Sequence, residues 1–137
     1  MKQIAENLIR KKLNLDHAPL KLTPASTGKF STTYFVETPA ELDDLVFRIA
    51  PSENLLLLFY EKLMMRKEPA LHRVIQKNTD IPIPTMLAYD FTRTLIYRDY
   101  VIMNRRPGRP LSEMRNRLSA SQMNRGCRER LYRCRLL

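Results

Sequence analysis

A short turn of small and basic residues is the first candidate for chemistry in this chain. Residues 26–29 read Ser-Thr-Gly-Lys and precede a strand-like segment that begins at Phe30. The backbone N–H groups of such a turn, at Gly28 and Lys29, can approach phosphate oxygens, because oriented amides attract anions. An ordinary glycine-containing turn has the same composition, so the turn by itself does not establish a phosphate site.

Arg48 is the second candidate. It lies between Phe47 and Ile49 in a strand-like run, so its side chain should face opposite to both neighbours. A guanidinium group is always charged, and it can bind phosphate oxygens through two parallel hydrogen bonds. The alternative is a solvated arginine on an edge strand.

The other reactive side chains form no recognisable catalytic or metal-binding pattern. Neither His17 nor His72 belongs to a Ser-His-Asp arrangement or lies beside paired carboxylates in the sequence. Cys127 and Cys134 lack the CxxC spacing and the nearby histidines of a zinc site. We interpret the histidines as surface or packing residues and the cysteines as incidental, and we predict no metal ligand.

Length and composition favour one small domain. The chain has 137 residues, of which 44% are hydrophobic, enough for one modest core. Its longest apolar run, residues 55–60, is far shorter than the roughly 20 residues that span a bilayer. The N-terminal residues are polar where a signal peptide would be apolar. We expect a cytoplasmic protein without a membrane partner.

The net charge of +10 is unevenly distributed. Residues 115–137 contain seven Arg, no Lys and a single acid, Glu129, and so carry a net charge of +6. Such a segment could bind nucleic acid or another polyanion. It lacks the interleaved aromatic residues of a base-stacking surface, since Tyr132 is its sole aromatic, and this disfavours nucleic acid.

The hydrophobic pattern predicts the elements that would position Arg48. Residues 3–13 have the pattern of an amphipathic helix. Residues 30–38 alternate aromatic and β-branched residues, and with residues 45–51 they predict a β-hairpin. The apolar residues on one side of the helix are Ile4, Leu8 and Ile9.

A long helical pattern follows over residues 53–77, and Pro69 interrupts it. Either the helix kinks at Pro69, or a second helix begins there with the proline in its first turn. The apolar residues at helical spacing would pack against the sheet. They are Leu56, Leu63, Ala70, Leu71, Val74 and Ile75.

The second half of the pattern predicts more sheet. Residues 81–84, Ile-Pro-Ile-Pro, read as an extended connector, because prolines exclude a central strand. A second hairpin is predicted over residues 85–104, with a rigid bend at 105–110. Ser119 and Gln122 have the spacing of a helix capping box. The whole order predicts an α+β fold, in which an antiparallel sheet of four or five strands packs with helices.

Five segments in this order carry a resemblance that no single one would establish. They are residues 26–38 (STGKFSTTYFVET), 45–51 (LVFRIAP), 64–75 (MMRKEPALHRVI), 79–90 (TDIPIPTMLAYD) and 99–113 (DYVIMNRRPGRPLSE). Over roughly residues 14–125, the chain resembles the N-terminal lobe of the aminoglycoside phosphotransferase and choline kinase-like family, distant relatives of protein kinases. The resemblance implies a protein-kinase-like N-lobe with the C-lobe absent. Residues 1–113 would form the ATP-binding lobe, and residues 114–137 the start of a C-lobe helix and an aberrant tail.

The resemblance also implies roles in binding ATP. Gly28 and Lys29 would cover its phosphates, Arg48 would hold them, and Glu68 would pair with Arg48. For Glu68 the alternative is a surface carboxylate on a charged helix turn. The residues implied for adenine, through the backbone of the hinge strand, are Ile102, Met103 and Asn104.

Catalytic residues are missing from this pattern. The resembled family supplies a His-x-Asp loop and a metal-binding Asp from its C-lobe, but this sequence has no His-x-Asp and no Asp after Asp99. We therefore predict no catalytic residue, an inactive truncated or frame-shifted product, and Mg²⁺ binding only with a complete C-lobe. Full-length relatives would phosphorylate a hydroxyl group of a small molecule. A separately encoded C-lobe completing a half-enzyme is another possibility.

A function of another class fits the same sequence. The chain could be a non-enzymatic binding module whose basic tail contacts nucleic acid or an anionic partner. The apolar surface that would face a second lobe also predicts self-association.

Overall fold

The computed structural model describes residues 2–15, 18–25, 31–39, 43–52, 63–108, 119–122 and 124. The Arg-rich segment beyond residue 124 lies outside the described residues. The elements, in chain order, are α1 (Lys2–Leu13), β1 (Lys21–Pro24), β2 (Thr32–Glu37), β3 (Leu45–Ile49), α2 (Met64–Asn78), β4 (Met86–Asp90) and β5 (Tyr100–Asn104). None of the described helices is long and apolar enough to cross a membrane.

The strands form one antiparallel sheet in the order β1-β2-β3-β5-β4. The predicted α+β fold and the first hairpin are confirmed. The sequence pattern does not predict β1, which has four residues and ends in Pro24. Because β1 is an edge strand, it can accommodate a proline that a central strand would exclude.

One side of the sheet packs against α1 and forms the main core; we call it the α1 face. Alternation along β3 directs Leu45, Phe47 and Ile49 to this face, and all three are buried. The α1 residues buried against it are Ala5, Leu8 and Ile9. The predicted helix is therefore confirmed, but Ile4 is 46% exposed, so its place in the apolar side was wrong. Ala5 is buried in its place.

The opposite side of the sheet carries Val46 and Arg48; we call it the Arg48 face. Met65 of α2 clusters there with Val101 and Met103 of β5. This side buries fewer apolar residues than the α1 face, and its remaining surface is bordered by charged side chains.

The helical prediction for residues 53–77 needs two corrections, while residues 53–62 lie outside the described residues. Pro69 is buried inside α2 beyond its first turn, so α2 does not begin at the proline. Leu71 and Val74 are 57% and 58% exposed, and Met65 and Pro69 are the residues that α2 buries. The apolar pattern therefore misidentifies the packed side of α2.

The second predicted hairpin is correct in pairing but too long. β4 and β5 pair as expected, whereas residues 91–99 form a loop. Asp90 accepts hydrogen bonds from the backbone N–H and hydroxyl of Thr92, at 2.8 and 2.6 Å, which turns the chain away from the strand. Arg93 then adopts a left-handed conformation with φ of 61°. These local turns replace strand pairing in the loop.

The capping box at Ser119 is confirmed. The backbone N–H of Ser119 donates to Oε1 of Gln122 at 2.9 Å, and the N–H of Gln122 donates to Oγ of Ser119 at 3.3 Å. Residues 120–122 and 124 are helical, as the capping pattern predicts.

Candidate functional site

Arg48 projects from the middle of the sheet. It faces opposite to Phe47 and Ile49, as alternation predicts, and its strand β3 lies between β2 and β5. A solvated arginine on an edge strand is therefore excluded. Its cross-strand neighbours are Thr33 on one side and Val101 on the other. Arg48 is consequently held by a paired backbone on both sides.

The carboxylate of Glu68 reaches Arg48 from α2. Nη1 of Arg48 donates to Oε2 of Glu68 at 2.8 Å, and the two side chains are 31% and 22% exposed. The structure thus brings together the pair that the family resemblance implies, across twenty residues of sequence. In the described part of the chain, Glu68 accepts from one of the five N–H donors of the guanidinium. At 31% exposure, the Arg48 side chain is partly accessible to an anion.

Apolar side chains continue the Arg48 face toward the end of β5. Phe35, Val46 and Met103 are successive cross-strand partners and so lie in one row on this face. The guanidinium of Arg105 lies over the ring of Phe35, 4.4 Å from its centroid, and Nη1 of Arg105 is 3.8 Å from Asp44. The row is therefore apolar, and the cation of Arg105 lies at its Phe35 end.

Backbone hydrogen bonds pair the end of β5 with the chain on both of its sides. The N–H of Asn104 donates to the carbonyl of Thr85 at 3.1 Å, and the N–H of Arg105 donates to the carbonyl of Asp44 at 2.6 Å. Oδ1 of Asn104 accepts from the N–H of Thr85 at 2.7 Å. Among the described residues that follow, Arg106 has the first backbone N–H outside these pairings.

The structure brings some of the site residues predicted from the sequence together, but not all of them. Arg48 and Glu68 form an ion pair, and β5 lies directly beside β3. Met103 faces the Arg48 side, whereas Ile102 is fully buried in the α1 face. Gly28 and Lys29 lie outside the described residues, so their part in the site stays a prediction.

A buried carboxylate that sequence reasoning missed lies next to this site. Asp99 is 2% exposed, and it accepts hydrogen bonds from Nε and Nη2 of Arg66 at 2.7 and 2.9 Å and from Nε of Arg93 at 3.0 Å. Burial alone would raise the pKa of Asp99, but the hydrogen bonds from both arginines outweigh it and hold the pKa below its ordinary value. The available sequence signal is an acid directly before an apolar strand.

Arg66 has a second set of contacts in the loop after β4. Its Nη2 donates to the carbonyl of Phe91 at 3.0 Å, and its guanidinium lies 5.8 Å from the centroid of the Phe91 ring. The ring of Phe91 in turn stacks on Tyr89. Arg66 therefore joins α2 to both ends of the loop between β4 and β5.

A further charged contact joins α1 to the far edge of the sheet. Nζ of Lys12 lies 3.1 Å from Oδ2 of Asp90. The hydrogen bonds from Thr92, with a contribution from Lys12, lower the pKa of Asp90 to about 2. Burial raises the pKa of Tyr100 to about 12, and the negative charge of Asp90 adds to this shift. Within the described residues, the buried Tyr100 hydroxyl lies near Asp90 without hydrogen-bond geometry to it.

Comparison with known proteins identifies the fold. A solved structure from Ralstonia eutropha JMP134, assigned as an aminoglycoside phosphotransferase, superposes with a TM-score of 0.55 at 21% sequence identity. The match covers 80% of this chain and 29% of that one, so this chain spans less than a third of the related structure. The five-stranded antiparallel sheet with its helices matches the N-lobe of the protein-kinase-like fold, as predicted. The comparison with curated proteins gave no match.

Sequence comparison adds the family to the fold. The profile of the phosphotransferase enzyme family APH matches residues 21–129, which include every strand of the sheet and all of α2. The matched region also contains both partners of the Arg48–Glu68 ion pair. This chain belongs to the phosphotransferase enzyme family.

Proposed function

We propose that this chain binds ATP on the Arg48 face of its sheet. The observation that carries the proposal is the 2.8 Å ion pair between Arg48 and Glu68, because it fixes a guanidinium on a central strand of a phosphotransferase-family lobe. Arg48 would bind phosphate oxygens through the donors that Glu68 leaves available. Glu68 would act as the residue that orients Arg48.

The apolar row on the same face suits the base. Phe35 and Val46 are partly exposed and, with the buried Met103, form an apolar row beside the end of β5. Adenine also needs hydrogen-bond partners, and the proposal places them in the backbone of the hinge from Ile102 to Asn104 and onward to Arg106. Since the N–H of Asn104 already pairs with Thr85, we assign the adenine donor to Arg106.

The turn containing Gly28 and Lys29 completes the proposed nucleotide site. In the sequence it lies between β1 and β2, which are antiparallel neighbours. Small residues there would allow backbone N–H groups to approach the phosphates. The proposed order along the face is therefore hinge, adenine, Arg48 and phosphate-covering turn.

Phosphoryl transfer is proposed for the complete relatives and not for this chain by itself. ATP supplies the γ-phosphoryl group, and a hydroxyl of a small molecule would receive it. Among the described residues, no group of three His, Cys, Asp or Glu could hold a metal ion. We assign the residues of the Arg48 face a role in nucleotide binding. No residue of this chain is assigned as the base for the acceptor.

Calorimetric titration tests the proposal directly. We expect saturable binding of ATP to the full chain and about tenfold weaker binding to Arg48→Gln, as for loss of a charge-assisted hydrogen bond. Lys21→Gln is the matched control, because it removes the same charge from an exposed ion pair with Glu37 on the outer strands. Equal ATP affinity of wild type and Arg48→Gln would contradict the proposal, as would absence of binding to the wild type.

A further inference from the structure

The buried carboxylate Asp99 joins two segments that are far apart in sequence. Arg66 approaches it from α2, thirty-three residues earlier, and Arg93 approaches from the loop before β5. Asp99 is 2% exposed, and a buried charged carboxylate without partners would strongly destabilise the fold. The fold therefore requires the contacts of Asp99 with the two arginines. Without Arg66, Asp99 would hold only the loop before β5, and without Arg93 it would hold only α2.

The apolar packing of α2 involves few residues, so it determines the rotation of the helix about its own axis only weakly. Of its described side chains only Met65 and Pro69 are buried, and Leu71 and Val74 point away from the sheet. The C-terminal half of α2 is tethered through His72, whose Nδ1 lies 2.9 Å from the carbonyl of Pro84. The N-terminal half is tethered by the ion pairs of Arg66 and Glu68.

These two ion pairs lie on opposite flanks of the buried stripe. Side chains advance by about 100° per residue in an α-helix, so Arg66 and Glu68 are about 160° apart around the axis. The stripe of Met65 and Pro69 lies between them. His72 lies about 40° from Glu68 around the axis and so on the same flank. Without Arg66, α2 would be tethered on that flank alone and could roll about its axis, whereas tethers on opposite flanks fix its rotation.

Both tethers end on the same rigid pair of strands. Arg48 is the cross-strand partner of Val101, and Asp99 lies two residues before Val101. The carbonyl of Asp99 also accepts from the N–H of Ala50 at 2.8 Å, which continues the pairing of β3 with β5. The anchors for α2 therefore keep a constant separation, set by the strand ladder.

We propose that Asp99 and Arg66 are positioning residues that hold α2 in the rotation at which Glu68 reaches Arg48. Their ion pair contacts no nucleotide; it acts through the Arg48–Glu68 pair. The consequence for ATP affinity rests on the proposed function above. The consequence for the rotation of α2 does not, because it concerns contacts within the lobe.

A pair of variants separates positioning from general stabilisation. Arg66→Gln removes the helix from Asp99, while Arg93→Gln removes a cation from the same carboxylate but leaves α2 attached. If the competent rotation falls to a minor fraction, we expect ATP affinity to fall about fivefold or more in Arg66→Gln and to stay within about twofold in Arg93→Gln. Arg66→Lys keeps the charge without the two-pronged contact, and an intermediate loss is expected.

Hydrogen exchange supplies a readout that needs no nucleotide. In the full chain without ATP, backbone amides of Met64–Asn78 should exchange about tenfold faster in Arg66→Gln than in wild type, and at nearly wild-type rates in Arg93→Gln. Equal exchange in the two variants would overturn the positioning role. If Arg66→Gln does not fold, Arg66→Lys is measured against Arg93→Gln by the same criterion.

The two readouts also separate failure of this inference from failure of the proposed function. Selective exchange of α2 in Arg66→Gln, with no ATP binding by wild type, would refute nucleotide binding but retain the positioning role. ATP binding that Arg66→Gln and Arg93→Gln weaken equally would retain the proposed function and refute the inference.

Discussion

Arg48 of β3 and Glu68 of α2 form an ion pair of 2.8 Å that joins the middle of the sheet to the helix lying across it. Both side chains are only partly exposed to solvent, at 31% and 22%. A cation held in this way can meet an anion without first losing the conformational entropy of a free arginine. We therefore expect the ion pair to contribute more to anion binding than to the stability of the fold.

Glu68→Gln should separate these two effects. We expect a loss of about 1 kcal/mol or less in the free energy of unfolding, because a partly exposed ion pair contributes little. ATP affinity should fall by a smaller factor than in Arg48→Gln, since the cation is retained but no longer oriented. Urea unfolding and calorimetric titration of the same samples measure both quantities.

The Lys21–Glu37 ion pair provides the comparison for this variant. It joins β1 to β2 at 2.9 Å and is more exposed than the Arg48–Glu68 pair. Glu37→Gln should leave ATP affinity unchanged. An equal effect of Glu37→Gln and Glu68→Gln on ATP binding would show that general charge, rather than orientation of Arg48, determines affinity.

Acid should weaken the hydrogen bonds that Asp90 accepts from Thr92 in the turn after β4 and, to a smaller extent, its contact with Lys12 of α1. The pKa of Asp90 is lowered to about 2 in the folded chain, below the ordinary aspartate value of about 3.9. A lowered folded-state pKa contributes stability above the unfolded pKa, and this stability is lost as pH falls toward the folded pKa. Wild type should therefore lose stability between about pH 4 and pH 2, and Asp90→Asn should lose less.

Thermal unfolding across that pH range measures the difference. Asp43→Asn is a suitable control, since Asp43 is an exposed carboxylate two residues before β3. Identical slopes of melting temperature against pH for wild type and Asp90→Asn would contradict the assignment. Asp99 also has a lowered pKa, so part of the acid dependence should persist in Asp90→Asn.

The strands could be predicted from sequence because their side chains alternate between two environments. Phe47 and Ile49 enter the main core while Val46 and Arg48 face away, and this period of two is visible in the sequence. Membership of Arg48 and Glu68 in one site followed from the family resemblance. Neither alternation nor helical periodicity would have paired them.

The orientation of α2 could not be predicted in the same way. Hydrophobic periodicity assumes that the apolar side of a helix is the packed side. In α2 the polar residues Arg66 and Glu68 find partners on the sheet, and Leu71 and Val74 face outward as a result. The partners of a long-range ion pair cannot be identified from local sequence, so the pairing of Asp99 with Arg66 and the rotation of the helix were not predicted.

Two truncations test the corrected rotation of α2. Ile9→Ala, at a fully buried position of α1, should lower the free energy of unfolding by about 2–5 kcal/mol. Leu71→Ala should change it by about 0.5 kcal/mol or less, because the Leu71 side chain is mostly exposed. Urea unfolding measures both. A loss for Leu71→Ala comparable to that for Ile9→Ala would restore the side of α2 that periodicity predicts.

Enlarging Val46 tests where the base binds. Val46 is half-buried between Phe35 and Met103 in the apolar row, and its side chain faces away from the main core. A tryptophan there would fill the surface proposed for adenine and leave Arg48 in place. We expect Val46→Trp to lower ATP affinity about tenfold or more, while inorganic triphosphate binds as it does to wild type, because its contacts are with Arg48. Competition titrations with both ligands distinguish the two halves of the site. Equal weakening of ATP and triphosphate would indicate that the substitution disturbs Arg48, and unchanged ATP affinity would place the base elsewhere on the lobe.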